Sequence, residues 1–156
     1  MSQSLDVPAA RHAFETALRE HQPEFEKFFL ARFYGLKFTY ADDGCTIRFP
    51  IHDYMFNPQG SVHGGVIAFV LDVSMGHLLK HTLAMPGSTI ELKTQFFAPL
   101  RGAEGRCEGR FLHKAKSIHF LESRLFDGEG ALVAAATSTW RVREPVSSGA
   151  PSPVAV

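Results

Sequence analysis

The stretch Asn57 to Asp72, NPQGSVHGGVIAFVLD, constrains this chain more than any other. A glycine-punctuated polar loop runs into a segment whose Val62, Val66, Ile67, Phe69, Val70, Leu71 and Val73 leave no wide polar face, so the helix they form must be buried. Ser61 is placed to cap its first turn, and the helix is expected over about 61 to 81. Asp72 is the anomaly. A carboxylate between Leu71 and Val73, with Ala68, Phe69, Met75 and Gly76 at helical spacing around it, costs free energy unless it is hydrogen-bonded or has a chemical task.

On either side of that helix the apolar period is two. Leu36, Phe38 and Tyr40 alternate with Lys37 and Thr39, Asp43-Gly44 supplies a turn, and Ile47, Phe49 and Ile51 alternate with Thr46 and Arg48. Beyond Pro86-Gly87 come segments at 88–97, 103–113, 117–126 and 131–142, linked by Pro99 to Gly102 and by the DGEG at 127–130. Short links favour antiparallel pairing in meander-like succession. The small residues of the last segment suit a sheet that a helix approaches closely. Before these strands, Phe14 and Leu18 share a helix face after Pro8, and Phe25, Phe28, Phe29 and Phe33 form a stripe from Pro23. The fold class is therefore α+β, with one curved antiparallel sheet around one long buried helix and an N-terminal helical segment. We divide the chain into a flexible lead (1–8), a single domain (9–143, with the helical segment at 9–34 and the core at 35–143) and a disordered Pro/Ser/Gly tail (144–156).

A chain of 156 residues buries about 70 per cent of its unfolded surface, enough for one substantial core. Fourteen Phe against one Trp and three Tyr make that core, or a pocket wall within it, aromatic. Sixteen basic and sixteen acidic side chains cancel, and with no basic tract present we expect no nucleic-acid partner. No leader pattern or apolar run of about 20 residues stands out, so no membrane span is expected. Cys45 and Cys107 have neither metal-ligand spacing nor a disulfide framework, which fits a reducing, cytoplasmic setting. His77 and His81 are spaced like a metal pair but lack a third ligand motif, so no metal is expected.

Asn57, Gly60, His63-Gly64-Gly65 and Asp72, followed by Thr89 at a strand start, Phe96, Phe97 and Pro99 at its end, and a closing Thr-Ser-Thr-Trp, resemble the hotdog-fold acyl-CoA thioesterases. The pattern is that of the phenylacetic-acid-pathway (PaaI-like) subfamily of the 4-hydroxybenzoyl-CoA thioesterase superfamily, over roughly residues 35 to 143. The resemblance implies a hotdog fold, paired protomers (a dimer, and a tetramer made of two dimers), an acyl-CoA substrate and no cofactor beyond the coenzyme A of the substrate. It assigns Asp72 as general base or nucleophile, Asn57 as holding the thioester or water, Thr89 as orienting water, and His63 as a loop or substrate residue. Gly64 would donate its backbone N–H to the oxyanion, with Gly60 and Gly65 around the substrate. Lys114, Lys116 and Ser117 are candidates for coenzyme A, with Arg101 and Arg106 behind them. This chain has Ala115-Lys116 where relatives commonly have Gly-Arg. Nine residues of helix advance about 13 Å and turn through about 900°, so His63 and Asp72 face opposite ways, which is an independent reason for two protomers to share a site. A non-catalytic acyl-CoA binding protein and an enoyl-thioester hydratase or dehydratase are the alternatives.

Overall fold

The computed structural model describes residues 4–142. The expected tail at 144–156 and the first three residues of the lead lie outside the described residues. Helix α1 spans Val7–Glu20, two residues earlier than the segment boundary read from sequence, because Asp6 accepts from the Ala9 N–H and Pro8 sits in the first turn. The Phe stripe that follows is not one helix. Phe28 is extended, and it separates a 3-10 turn, Phe25–Lys27, from the short helix α2, Phe29–Phe33. Phe29 and Phe33 then pack edge-on against Phe14 of α1, with ring centroids 5.5 and 6.2 Å away.

Six strands form one antiparallel sheet: β1 (Lys37–Ala41), β2 (Gly44–Pro50), β3 (Gly87–Phe96), β4 (Glu104–Lys114), β5 (Ile118–Asp127) and β6 (Leu132–Val142). Their boundaries follow the alternation in the sequence to within a residue or two. Their order, β1-β2-β4-β5-β6-β3, corrects the simple meander. β1 and β2 run as successive neighbours, and so do β4, β5 and β6. β3 crosses to the far edge and pairs with β6, so the Pro99 to Gly102 link is a crossover rather than a hairpin turn. The first hairpin also turns one residue earlier than expected, on Asp42-Asp43, with Gly44 already paired to Ala41.

The long helix α3, Gly64–Leu83, lies across the inner face of this sheet. It is the one described helix long and apolar enough to cross a membrane by length and composition, contrary to the expectation that no such segment exists. Here the sheet, not lipid, takes its apolar surface: Val70, Leu71, Met75, Leu78 and Leu79 are fully buried against Ile47, Phe49, Leu121 and Leu125. Close approach is permitted by glycine on β4: a Cβ at Gly109 would stand 3.0 Å from the Ser74 carbonyl oxygen, while Gly105 makes room for the Phe49 ring of β2. Opposite that seat Ser74, Ser123 and Cys107 hydrogen-bond one another in the core, so the polar atoms nearest the contact are satisfied.

Gly109→Ala should therefore destabilise the protein by about 1–3 kcal/mol, because helix backbone rather than a flexible side chain must yield. Gly44→Ala, whose Cβ would meet only an ordinary 3.8 Å contact, is the control and should leave urea unfolding almost unchanged. Equal losses in the two variants would contradict the tight seat.

Candidate active site

Two groups of predicted residues occur at the start and in the middle of α3. At the start the chain folds back on itself: Asn57 N–H donates to the Ser61 carbonyl (2.8 Å), Gly60 N–H to the Asn57 carbonyl (3.0 Å), and Phe56 bridges Val62. Gly60 sits at φ +74°, a conformation that glycine adopts without steric cost. The Asn57 side chain is largely engaged within this loop. Its Oδ1 accepts the Gln59 N–H (2.8 Å) and its Nδ2 donates to Ser61 Oγ (3.2 Å), which leaves one amide N–H for a ligand.

The helix cap is His63, not Ser61. Its Nδ1 accepts the Gly65 N–H at 2.9 Å, and its backbone carbonyl takes Val66 and Ile67. An accepting Nδ1 places the neutral imidazole's proton on Nε2. Ser61 is buried in the turn instead, so it was the loop closure, invisible to the helical pattern, that moved the cap by two residues. With Gly65, Val66 and Ile67 committed, the Gly64 N–H is left without an acceptor among the described residues. It opens into a cleft of about 480 Å³ lined by Asn57, Gln59, Gly64, Phe96, Phe97 and Arg101, with buried Val62 and Ile67 as its floor. Phe96 lies close over Gly64, where a Cβ would stand 3.3 Å from its ring. An N–H at a helix start facing a cleft is a site for a carbonyl oxygen that gains negative charge.

In the middle of α3, Asp72 is half-buried, on the partly open face it shares with Gly65, Ala68 and Phe69. Its Oδ1 accepts the Thr89 hydroxyl at 2.9 Å. Burial pushes the carboxyl above its ordinary range, and the Thr89 hydrogen bond partly opposes that. Thr89 thus touches the acid itself. A register shift between Thr89 and Glu91 leaves Ile90 unpaired, so Gly87 and Thr89 below it and Leu92 and Phe96 above it all turn toward α3. The structure brings Asp72 and Thr89 together, and Asn57, Gly60, His63, Gly64 and Gly65 together. Within a protomer it does not join the two groups.

The coenzyme A candidates divide the same way. Lys114 lies in a row with His119, Trp140 and Thr89, three strand spacings or about 14 Å from Thr89, and is paired with Asp43. Lys116 and Ser117 occupy the exposed β4–β5 turn, where the Ser117 carbonyl accepts from Val142. Arg106 is paired with Glu108 and stacked on Phe126. Arg101 is at the other end, on the cleft beside Gly64. Sequence reasoning ranked it low because the crossover that carries it there was read as a plain turn.

Other reactive groups are accounted for by packing. His77 directs both ring nitrogens at carbonyls, Val73 (2.9 Å) and Phe25 (2.8 Å), and stacks on Phe38; His81 stacks on Tyr40. Among the described residues no three His, Cys, Asp or Glu side chains gather as a metal site. Burial raises the Cys45 thiol to about 12 and the Cys107 thiol to about 11, so neither is a thiolate nucleophile at neutral pH.

Residues 59–134 match the family model described as Thioesterase superfamily. With the sheet order and the buried α3, the fold is the hotdog fold, and residues 59–134 are similar to that superfamily. A Bacillus halodurans protein whose crystal structure was determined with CoA aligns with a TM-score of 0.77 and 25% identity, over 90% of this chain and 93% of that one. A Saccharolobus solfataricus protein, provisionally named an esterase, is 27% identical over 119 residues, which are 74% of this chain and 79% of that protein. A Haemophilus influenzae thioesterase shares the fold, with a TM-score of 0.69 at 14% identity over 74% of this chain and 82% of its own.

A carboxyl raised by burial favours the folded state in its protonated form, so between the unfolded and the raised folded pKa the native protein loses stability as pH rises. Asp72→Asn should therefore melt at or above the wild-type temperature, with the smallest difference near pH 4 and the full difference above the raised pKa. Thr89→Val should raise the Asp72 titration further in carbon NMR. A fall in either quantity would contradict this environment.

Proposed function

We propose that this chain is an acyl-CoA thioesterase of the PaaI-like subfamily, working as a two-fold dimer that shares its two active sites. The thioesterase-superfamily match and the esterase- and thioesterase-named relatives support a thioester hydrolase. The CoA of the Bacillus halodurans protein supports coenzyme A as the thiol. The single observation that carries the reading is the division described above: a free helix-start N–H on a cleft and a half-buried acid, both beside the edge strand β3 but at opposite ends of it.

That edge is also where a second copy fits. β3 is ten residues long and pairs among the described residues only with β6; Ile90 and Phe96 on it, and Phe97 just beyond it, are more than half exposed. A long uncovered edge strand is a template for pairing with another chain. Two-fold pairing of β3 with itself runs the two α3 helices antiparallel, so that Asp72 of one protomer faces Gly64 of its mate. Further pairing of dimers into a tetramer extends the same proposal.

The chemistry then follows from the parts. The thioester carbonyl lies against the Gly64 N–H, with the remaining Asn57 amide N–H beside it, and the helix dipole favours the oxyanion. Asp72 of the mate takes a proton from a water held by Thr89, and that water adds to the carbonyl carbon; collapse of the adduct breaks the C–S bond and releases coenzyme A as thiol with the acid as carboxylate. In the covalent variant of the same scheme Asp72 attacks the carbonyl, and water opens the resulting anhydride. No metal or redox group is called for, and a cytoplasmic setting belongs to this proposal. The half-exposed rings of Phe28, Tyr34 and Phe69 beside the helix face suit an aryl group or a medium or long aliphatic acyl chain.

Thiol release from a panel of aryl- and aliphatic acyl-CoAs tests the reading. We expect turnover on at least one class, and a loss of about 100-fold or more in Asp72→Asn with its dimer intact on sizing. Affinity for acyl-CoA without thiol release would replace the enzyme by a binding protein, and hydration of an enoyl-CoA would replace it by a hydratase.

A further inference from the structure

We propose that Arg101 is the anion-recognising residue of the Gly64 cleft and binds a phosphate of the coenzyme A nucleotide, an inference that rests on the acyl-CoA reading above. The crossover between β3 and β4 is anchored at Leu100, which is fully buried and whose carbonyl accepts the Val62 N–H (3.0 Å), and at Ala103, whose carbonyl accepts the Ile51 N–H (2.8 Å). Arg101 lies between these anchors and is exposed. Its Nε donates to the Gly60 carbonyl at 3.2 Å, which fixes the plane of the guanidinium and leaves the two Nη groups directed elsewhere. The backbone of Gly60, in its left-handed conformation, thus positions Arg101 as well as closing the Asn57 loop.

Charge separates Arg101 from two of the other candidate cations: Lys114 is paired with Asp43 and Arg106 with Glu108, whereas Arg101 has no carboxylate partner among the described residues. Lys116 is likewise unpaired there, but it lies on the exposed β4–β5 turn and does not line the Gly64 cleft. It also borders an adjoining depression that carries Asp127 and Glu129. The Asp127 carboxylate is turned into its own hairpin, where Oδ1 accepts the Glu129 and Ala131 N–H groups. On the cleft side, buried Val62 and Ile67 form the floor with Gly64 above them, and exposed Gln59 and Arg101 form the rim. In this proposal the phosphopantetheine arm of a thioester held at Gly64 leaves the cleft over this rim and turns a phosphate back to Arg101. A guanidinium held in plane by one N–H and free at both Nη groups matches phosphate by paired hydrogen bonds in a way a lysine cannot.

The test compares Arg101→Met with wild type on a preferred acyl-CoA and on the N-acetylcysteamine thioester of the same acid, which lacks every phosphate. We expect KM for the CoA ester to rise about tenfold with kcat within about twofold, no change on the truncated ester, and a weaker salt dependence of KM in the variant. Arg101→Lys should recover only part of the loss. Equal losses on both esters would make Arg101 a structural tie to Gly60, no loss on either would remove it from the site, and a loss confined to acids with a second carboxylate would move its anion to the acyl group. Calorimetric binding of free coenzyme A and of pantetheine is run alongside. If wild type shows no turnover yet binds coenzyme A, and Arg101→Met loses that binding selectively, the thioesterase reading fails while the Arg101 site stands. If wild type binds neither, the site falls as well.

Discussion

A rigid helix cannot bring its own start to its own middle. From Gly64 to Asp72, α3 rises about 12 Å, and its burial beneath the sheet removes the freedom to bend that gap closed. Everything of interest in the molecule is arranged around that separation. The cap at His63 leaves one N–H at the helix start, Thr89 holds the acid farther along, and the strand beside both is an edge that no other described strand covers. In the proposed dimer a two-fold copy would turn these two half-sites into two whole ones.

The helix is held where it is by absence of side chains as much as by their presence. Gly109 on β4 against the Ser74 backbone and Gly76 of α3 against Trp140 let backbone and ring approach within contact distance. That closeness seals one face of α3 completely and leaves Gly65, Ala68, Phe69 and Asp72 as the strip with access to solvent. The acid is thus half desolvated: enough to raise its pKa, yet with a hydroxyl partner and an opening to the outside. A fully sealed carboxylate would have been a structural liability, and a fully exposed one an ordinary weak base.

Much of this was legible in the residues themselves. Period-two alternation located five strands and a run of small residues the sixth; the alternation is clearest where one face is buried, as in β2 and β5, and weakest in the edge strand β3. The unbroken apolar run with a single Asp located both the central helix and its acid. What failed was what local pattern does not encode. The placement of β3 at the far edge depends on which strand β6 prefers, a long-range matter, so Pro99 to Gly102 passed for a turn and the place of Arg101 on the cleft was not seen. The cap passed from Ser61 to His63 because Asn57 and Ser61 close a loop on each other, a tertiary use of residues that otherwise favour helix starts. The aromatic stripe from Phe25 to Phe33 has helical spacing but breaks at Phe28, where Phe25 and Phe28 turn instead onto His77. Spacing marks which residues are buried, not always on what.

The sharing of a site between two copies is tested most directly by mixing two inactive proteins. Asp72→Asn lacks the acid, and Gly64→Pro lacks the N–H at a first helical position that tolerates proline. Unfolded together and refolded at equal amounts, about half of the dimers should be mixed, each with one intact and one doubly defective site, giving about a quarter of wild-type activity. Mixtures that stay as inactive as their parents, while mixed dimers are demonstrably present, would contradict the account.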